Sequence, residues 1–301
     1  MVQFISAHLG EFSALLTAFC WAGSSLLFEK AGKSSNSFTV NIVRLLFALL
    51  FLSLFCLVVY HEVLPFKAAL HSWIWLSISG LIGFTLGDLF LFEAFIMIGA
   101  RISMLMMALA PPIAAFIGFF MFHDTLTLKS MIGMVLTLTG ITIVVLERNH
   151  NHSEIKGRKL FIGVLFAFFG AFGQGLGLNL SKFGIQDLNP FSATQIRVIA
   201  GIIGFAITFS IMRVWPKVFQ GLKNKNGAAF SSLGAFFGPF LGVSFSLLAV
   251  KHANIGIAST IMALPPVLII PFAVLFMKEE ITVKEVFASI LAISGTAVFF
   301  L

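Results

Sequence analysis

Charged residues make up only 10% of this 301-residue chain, and it holds two cysteines and a single tyrosine. Each shortage excludes something. Soluble globular domains carry charge at about a quarter of their positions. With 59% hydrophobic residues and a mean hydropathy of +1.04, the composition is that of a polytopic membrane protein. Cys20 and Cys56 both lie in apolar stretches, so neither a disulfide framework nor a metal site is supported, and small hydrophobic packing is their expected role. The net charge of +7 is scattered over short connections and never forms a patch interleaved with aromatics, which argues against nucleic-acid binding. Missing too is a P-loop of the form GxxxxGK[ST], so any pumping must draw on an ion gradient, exchange or a partner. No HExxH or GxSxG is present, Thr85 breaks the GxGD pattern at Gly87-Asp88, and Glu279-Glu280 is followed by Lys284 where EExxxR needs arginine. An intramembrane enzyme is therefore the weakest class, and no cofactor or metal is implied. MVQFISAHLGE carries no basic residue ahead of the first hydrophobic run, against a cleaved secretory signal.

What the chain does have is a copy of itself. MALAPPI at Met107 to Ile113 returns as MALPPVL at Met262 to Leu268. At an offset of 155, Gly83 and Gly87 fall on Gly238 and Gly242, Pro111 on Pro266, Thr127 on Thr282, Lys129 on Lys284 and Gly140 on Gly295. Nearer the start the offset is 153, matching Asn36, Phe38 and Arg44 to Asn189, Phe191 and Arg197, and then 152, matching Gly23 and Lys30 to Gly175 and Lys182. A duplicated unit with an odd number of spans inverts its second copy in the bilayer, as in many secondary transporters.

A helix needs about 20 mainly apolar residues to cross a hydrocarbon core of about 30 Å. Charge and turn signals cut the chain into ten such runs, five per copy: 11–28, 36–60, 72–98, 102–122, 128–146, 160–182, 191–213, 228–250, 255–277 and 283–301. The predicted fold is all-α and integral to the membrane: ten transmembrane helices as two inverted five-helix repeats, 1–147 and 160–301, around a central cavity, with a basic cytoplasmic linker at 148–159. The connections read as short and polar, the longest being Glu147 to Lys159 and Val214 to Gly227. Of nineteen Lys and Arg, four (Lys67, Lys129, Lys182, Lys251) lie on the side of both termini, thirteen on the other, and Arg44 and Arg197 within spans. The positive-inside rule then places both termini outside the cytoplasm of a cell membrane, in a bacterium the inner one.

The run GDLFLFEAFIMIGARISMLMMALAPPIAAFIGFFMFHDTLT from Gly87 to Thr127, the small-residue span ending LTLTGITIVVL, Trp21 with Gly23, and Arg44 together resemble an EamA domain of the drug/metabolite transporter superfamily. The resemblance covers both halves. It departs at Gly173, where the second copy lacks a match for Trp21, and at Asp124, where the family usually has Glu, a place Glu279 fills in copy two. The resemblance implies a ten-helix basket with a central cavity, peripheral spans five and ten, and export or exchange of small metabolites.

Polar and helix-breaking residues inside spans are the candidates for function. Pro111, Pro112, Pro265 and Pro266 read as mid-span breaks in spans four and nine. Each removes a backbone donor, so they serve either as hinges beside the substrate path or as static kinks. The glycines of span six, from Gly170 to Gly177, allow close packing or local unwinding, while Gln174 and Asn179 favour a cavity wall because a lipid-facing amide goes unpaired. Trp21, Ser24 and Ser25 mark span one, and Ser13 is expected to bond its preceding turn. Met107 lies at the start of the proline motif. Arg44 lies eight residues, about 12 Å, inside span two, with Arg197 at the matching depth of span seven. Such charges need a partner such as Glu29 or a helix-end carbonyl, or else an anionic substrate. Asp88 and Glu93 are about 140° apart on span three, so one of them faces any single site. Asp88, beside the Gly83/Gly87 face, is the better candidate, as a proton-linked group, a substrate-cation partner or one side of a fixed ion pair. Lys30 and Lys182 read as snorkelling anchors, His252 as interfacial, and Asp124, Glu279 and Glu280 as N-terminal charges on spans five and ten.

The expected function is secondary transport, export or exchange of an amino acid or similar metabolite by alternating access. The runner-up is a lipid or lipid-carrier flippase, which needs a lateral groove lined by basic residues such as Arg44. Expected partners are a small-molecule substrate and membrane lipid, with proton coupling or exchange as the driving mode and a monomer or homodimer as the working unit.

Overall fold

The computed structural model describes residues 7–147, 158–268, 270 and 282–298, which form helices and no strand. Most of the 148–159 linker, Glu279, Glu280 and the side chain of Glu29 lie outside the described residues. In chain order the helices are α1 (Leu9–Ser34), α2 (Ser37–Tyr60), α3 (Leu70–Gly80), α4 (Asp88–Met107), α5 (Ala110–Phe122), α6 (Leu128–Glu147), α7 (Arg158–Ile185), α8 (Pro190–Ile211), α9 (Trp215–Leu222), α10 (Lys225–Ala235), α11 (Val243–His252), α12 (Ile255–Met262) and α13 (Val283–Ala297). Among the described residues, six runs are long and apolar enough to cross a membrane: 9–32, 37–60, 70–94, 158–185, 190–211 and 225–252. Three shorter apolar helices cover 110–122, 128–143 and 255–268.

Four of the duplicated polar residues turn out to start helices. Asn36 caps α2 by accepting the Thr39 N–H at 3.0 Å, and Asn189 caps α8 by accepting the Ser192 N–H at 2.8 Å. Thr127 likewise accepts the Ser130 N–H at 3.1 Å ahead of α6, and Thr282 accepts the Glu285 N–H at 3.2 Å in a capping box on α13. A side-chain oxygen here satisfies one of the orphan donors of a first turn.

Two pairs of equivalent helices, α6 with α13 and α2 with α8, lie antiparallel. Gly140 of α6 abuts Ala288 and Ala292 of α13, while Gly295 of α13 abuts Gly133 and Thr137 of α6. As one residue number rises, its neighbour's falls. A Cβ on Gly295 would sit 2.6 Å from the Thr137 backbone nitrogen, so glycine at both positions sets the approach of the two helices. The α2–α8 pair runs the same way, with Leu45 against Gly201 and Cys56 beside Ser192.

Between α3 and α4, residues Leu81–Gly87 are wound as a π-helix, and between α10 and α11 so are Phe236–Gly242. The segments have equal length and stand 155 residues apart, the offset of the repeat. Such wide turns are rare and concentrate at functional sites.

Some boundaries differ from expectation. Pro111 and Pro112 do not kink a continuous helix but stand in the first turn of α5, after a break at Ala108 and Leu109. There the missing N–H has no intrahelical partner to lose. Copy two repeats this at Ala263, with Pro265 and Pro266 opening the next turn. The expected start of span four at 102 falls within the helical stretch that extends to Met107. Yet Ile98 packs on Gly163 whereas Ala110 packs on Gly175, about 18 Å further along α7 at 1.5 Å per residue. The chain therefore reverses between residues 98 and 110. The 214–227 connection is not simply polar: it contains α9, whose Val218 is buried and whose Lys217 carbonyl accepts a 2.8 Å bond from Asn36.

Candidate functional site

The glycines of α7 bring it into direct contact with the first π segment. A Cβ on Gly173 would stand 3.0 Å from the Gly87 Cα, and one on Gly177 would stand 3.2 Å from the Gly83 Cα. Glycine at these positions thus permits backbone-to-backbone packing, and the residue between them, Gln174, reaches across. Its amide nitrogen donates to Asp88 Oδ1 at 2.8 Å. The other carboxylate oxygen of Asp88 takes a hydrogen bond and ion pair from Arg44 Nη2 of α2. Asp88 and Arg44 are 5% and 7% exposed. With both oxygens engaged, Asp88 stands as one side of an ion pair, and the Arg44 partner is Asp88 rather than a helix-end carbonyl. The Arg44 guanidinium is also flanked by the rings of Phe28 and Phe92, at 5.8 and 5.4 Å.

Arg197 of α8 completes the cluster from the second copy. It is 5% exposed, its guanidinium lies 5.0 Å from the Phe84 ring, and Nη2 is 3.1 Å from where a Cβ on Gly83 would be. Among the described residues it makes no hydrogen bond or ion pair through its side chain, and its Nε is enclosed without an acceptor. Asp88 is the charged group that acts on it electrostatically. A buried cation without an acceptor is costly.

The remaining candidates spread around this centre. Asn179 is fully buried and donates to the Ala114 and Gly175 carbonyls at 3.0 and 2.9 Å, while its own oxygen is unpartnered. Trp21 lies across Gly242 at the end of the second π segment, where a Cβ would be 2.6 Å from its ring. Ser24, buried beside Gly238, bonds the Trp21 carbonyl at 3.2 Å, and Ser13 bonds the Leu9 carbonyl at 2.6 Å as expected for a helical serine. Met107 is half-buried at the end of α4, outside the cluster. Two shallow depressions, of about 370 and 230 Å³, lie on the α5–α6 flank against residues such as Phe116 and Met131; the larger is bordered by Asp124, and neither is lined by Arg44, Asp88 or Arg197.

Two expectations for charged residues are corrected. Asp124 does not cap α6, whose cap is Thr127. Its Oδ2 accepts Lys182 Nζ at 2.9 Å and approaches the Ile255 N–H at 3.4 Å, joining the end of α7 to the start of α12. Lys182 is accordingly an ion-pair partner lying 5.0 Å from the Phe122 ring, not a free snorkel. His252 is exposed, in keeping with an interfacial place.

The π segments and the Ser79–Ser181 contact had no reading in the sequence. Ser79 donates to the Gly177 carbonyl at 2.6 Å and lies 2.7 Å from the Ser181 hydroxyl. The duplicated pairs Gly83/Gly87 and Gly238/Gly242 were the available signal, since they close the two π segments.

The profile of the EamA-like transporter family matches residues 8–146 and again residues 161–301. An uncharacterized transporter of Archaeoglobus fulgidus is 24% identical over 284 residues, covering 93% of this chain and 95% of the relative. A second uncharacterized transporter of the same organism is 27% identical over 128 residues, 41% of this chain and 42% of its own length. A protein crystal structure superimposes with a TM-score of 0.76 at 15% identity, over 98% of this chain and 96% of that one, which is a likeness of fold.

Proposed function

Because the chain belongs to the EamA-like transporter family, a family of membrane proteins, we propose that it is a secondary transporter that exports or exchanges a small metabolite by alternating access between inverted halves. The observation that carries this reading is a buried charged cluster spanning the two copies: Arg44 and Asp88 from the first, Gln174 and Arg197 from the second. A rocking motion of one half against the other would break and remake these cross-copy contacts, which is what a gated central site requires. The antiparallel α6–α13 and α2–α8 pairs support inversion, and the matched proline breaks and π segments supply hinge points at equivalent depths. Asp88 is the residue through which proton coupling would act. The low exposure of Arg44 favours a site closed to lipid over the lateral groove of a flippase. The Lys and Arg distribution supports a cell-membrane location, in a bacterium the inner one, with both termini outside the cytoplasm.

Counterflow tests it. Proteoliposomes preloaded with millimolar unlabelled amino acids, nucleosides or organic acids should accumulate the matching labelled tracer, and an Arg44→Gln, Asp88→Asn double variant should not. Movement of a fluorescent phospholipid between leaflets, with no solute counterflow, would replace this reading with the flippase.

A further inference from the structure

The repeat supplies two arginines but only one carboxylate. Arg44 and Arg197 are equivalent at the offset of 153, and Asp88, the partner of Arg44, is matched at 155 by Val243. Val243 is buried at the start of α11, 7% exposed, and the neighbouring Ser244 hydroxyl lies 3.3 Å from Thr194, one helical turn before Arg197. So the place where symmetry would put a counter-ion for Arg197 holds an isopropyl group. The guanidinium is left buried with its Nε unpaired and no acceptor of its own among the described residues.

Taking the cluster as the transport site, we infer that Arg197 docks the carboxylate of a monoanionic or zwitterionic substrate, which supplies the counter-ion that Val243 replaces. Charge decides between anions. Among the described side chains, two guanidinium groups against one carboxylate leave the cluster with a single excess positive charge, which one carboxylate neutralises and a phosphate dianion would overcompensate. Geometry favours the fork of arginine, which matches a planar carboxylate with two parallel N–H bonds. Phe84 covers the guanidinium at 5.0 Å, and Gly83, lacking a Cβ, leaves room beside Nη2. Arg44, already engaged by Asp88, would anchor the site while Arg197 reads the cargo.

The test is thermal unfolding of the purified full chain with benzoate, acetate, the twenty amino acids, inorganic phosphate and phosphatidylglycerol micelles, each carboxylate paired with its amide. At least one carboxylate should stabilise the protein and its amide should not, with Arg197→Gln weakening binding roughly 10- to 100-fold. Val243→Asp, which installs a resident counter-ion, should abolish that stabilisation, and the uncharged Val243→Asn should keep it. Equal binding of the amide, retention of carboxylate binding by Val243→Asp, or stabilisation by phosphate or phosphatidylglycerol alone would overturn the inference. So would the absence of any carboxylate effect. Should Val243→Asp fail to fold, the carboxylate–amide comparison on the natural chain decides. Counterflow of a neutral solute would sink the carboxylate site while leaving transport standing; carboxylate binding without any counterflow would do the reverse.

Discussion

Replacing Asp88 by asparagine keeps the shape of the side chain and removes the negative charge that faces Arg44 and Arg197. Gln174, at 2.8 Å from Oδ1, can still donate to the new amide oxygen, so that bond survives. What is lost is the ion pair with Arg44, at a site where both partners are nine-tenths buried. Removing one partner of a buried pair costs about 3–5 kcal/mol, because the other charge stays buried. With the Gln174 bond retained, the lower end applies, about 3 kcal/mol. One kcal/mol moves the melting temperature of a chain of 150–250 residues by about 2–4 °C, and of a longer chain by the lower end of that, so Asp88→Asn should melt roughly 6 °C below the natural protein. The assay is heating in detergent at fixed ionic strength with the monomer remaining read by size-exclusion chromatography. Glu93→Gln, half-buried five residues further along α4 and outside the cluster, is the control and should shift by about 2 °C at most. Adding Arg44→Gln to Asp88→Asn should cost less than the sum of the single changes, since it removes the stranded charge. A melting point within 2 °C of the natural protein for Asp88→Asn, or full additivity of the pair, would refute the account of this cluster.

Gly140→Ala should destabilise by about 1–3 kcal/mol, because its Cβ would lie 2.5 Å from the Ala288 carbonyl oxygen; Gly23→Ala, with nothing within 4 Å, should be neutral or gain up to about 1 kcal/mol, and thermal unfolding of the two variants compares them directly. Asp124→Asn should lose about 1 kcal/mol, less than Asp88→Asn, since its pair with Lys182 is about one-fifth exposed, and the difference from the natural protein should shrink in 1 M salt.

Much of this protein was legible in local sequence. Apolar runs depend on composition within about 20 residues, so the membrane class, the helical character and the duplication follow without knowing how helices pack. Asn36 and Asn189, Thr127 and Thr282 recur because a helix start needs an oxygen at that position, again a local demand. The angular separation of Asp88 and Glu93 on one helix already allowed only one of them into a shared site, and Asp88 is the one beside Arg44. Partners were another matter. Arg44 meets a residue 44 positions away, Gln174 reaches one 86 positions away, and Lys182 takes Asp124 instead of the interface. The π segments escaped as well: the first packs on α7 and α8 through Gly83 and Gly87 and the second on α1 through Gly238 and Gly242, contacts between segments distant in sequence. By itself, the sequence determined a duplicated, membrane-spanning, all-helical chain and the short list of polar residues that must find partners inside it. Only the tertiary structure decided which of them meet and that Arg197 is left over, because helix rotation and crossing angle arise from packing between distant segments and leave no trace in any one of them.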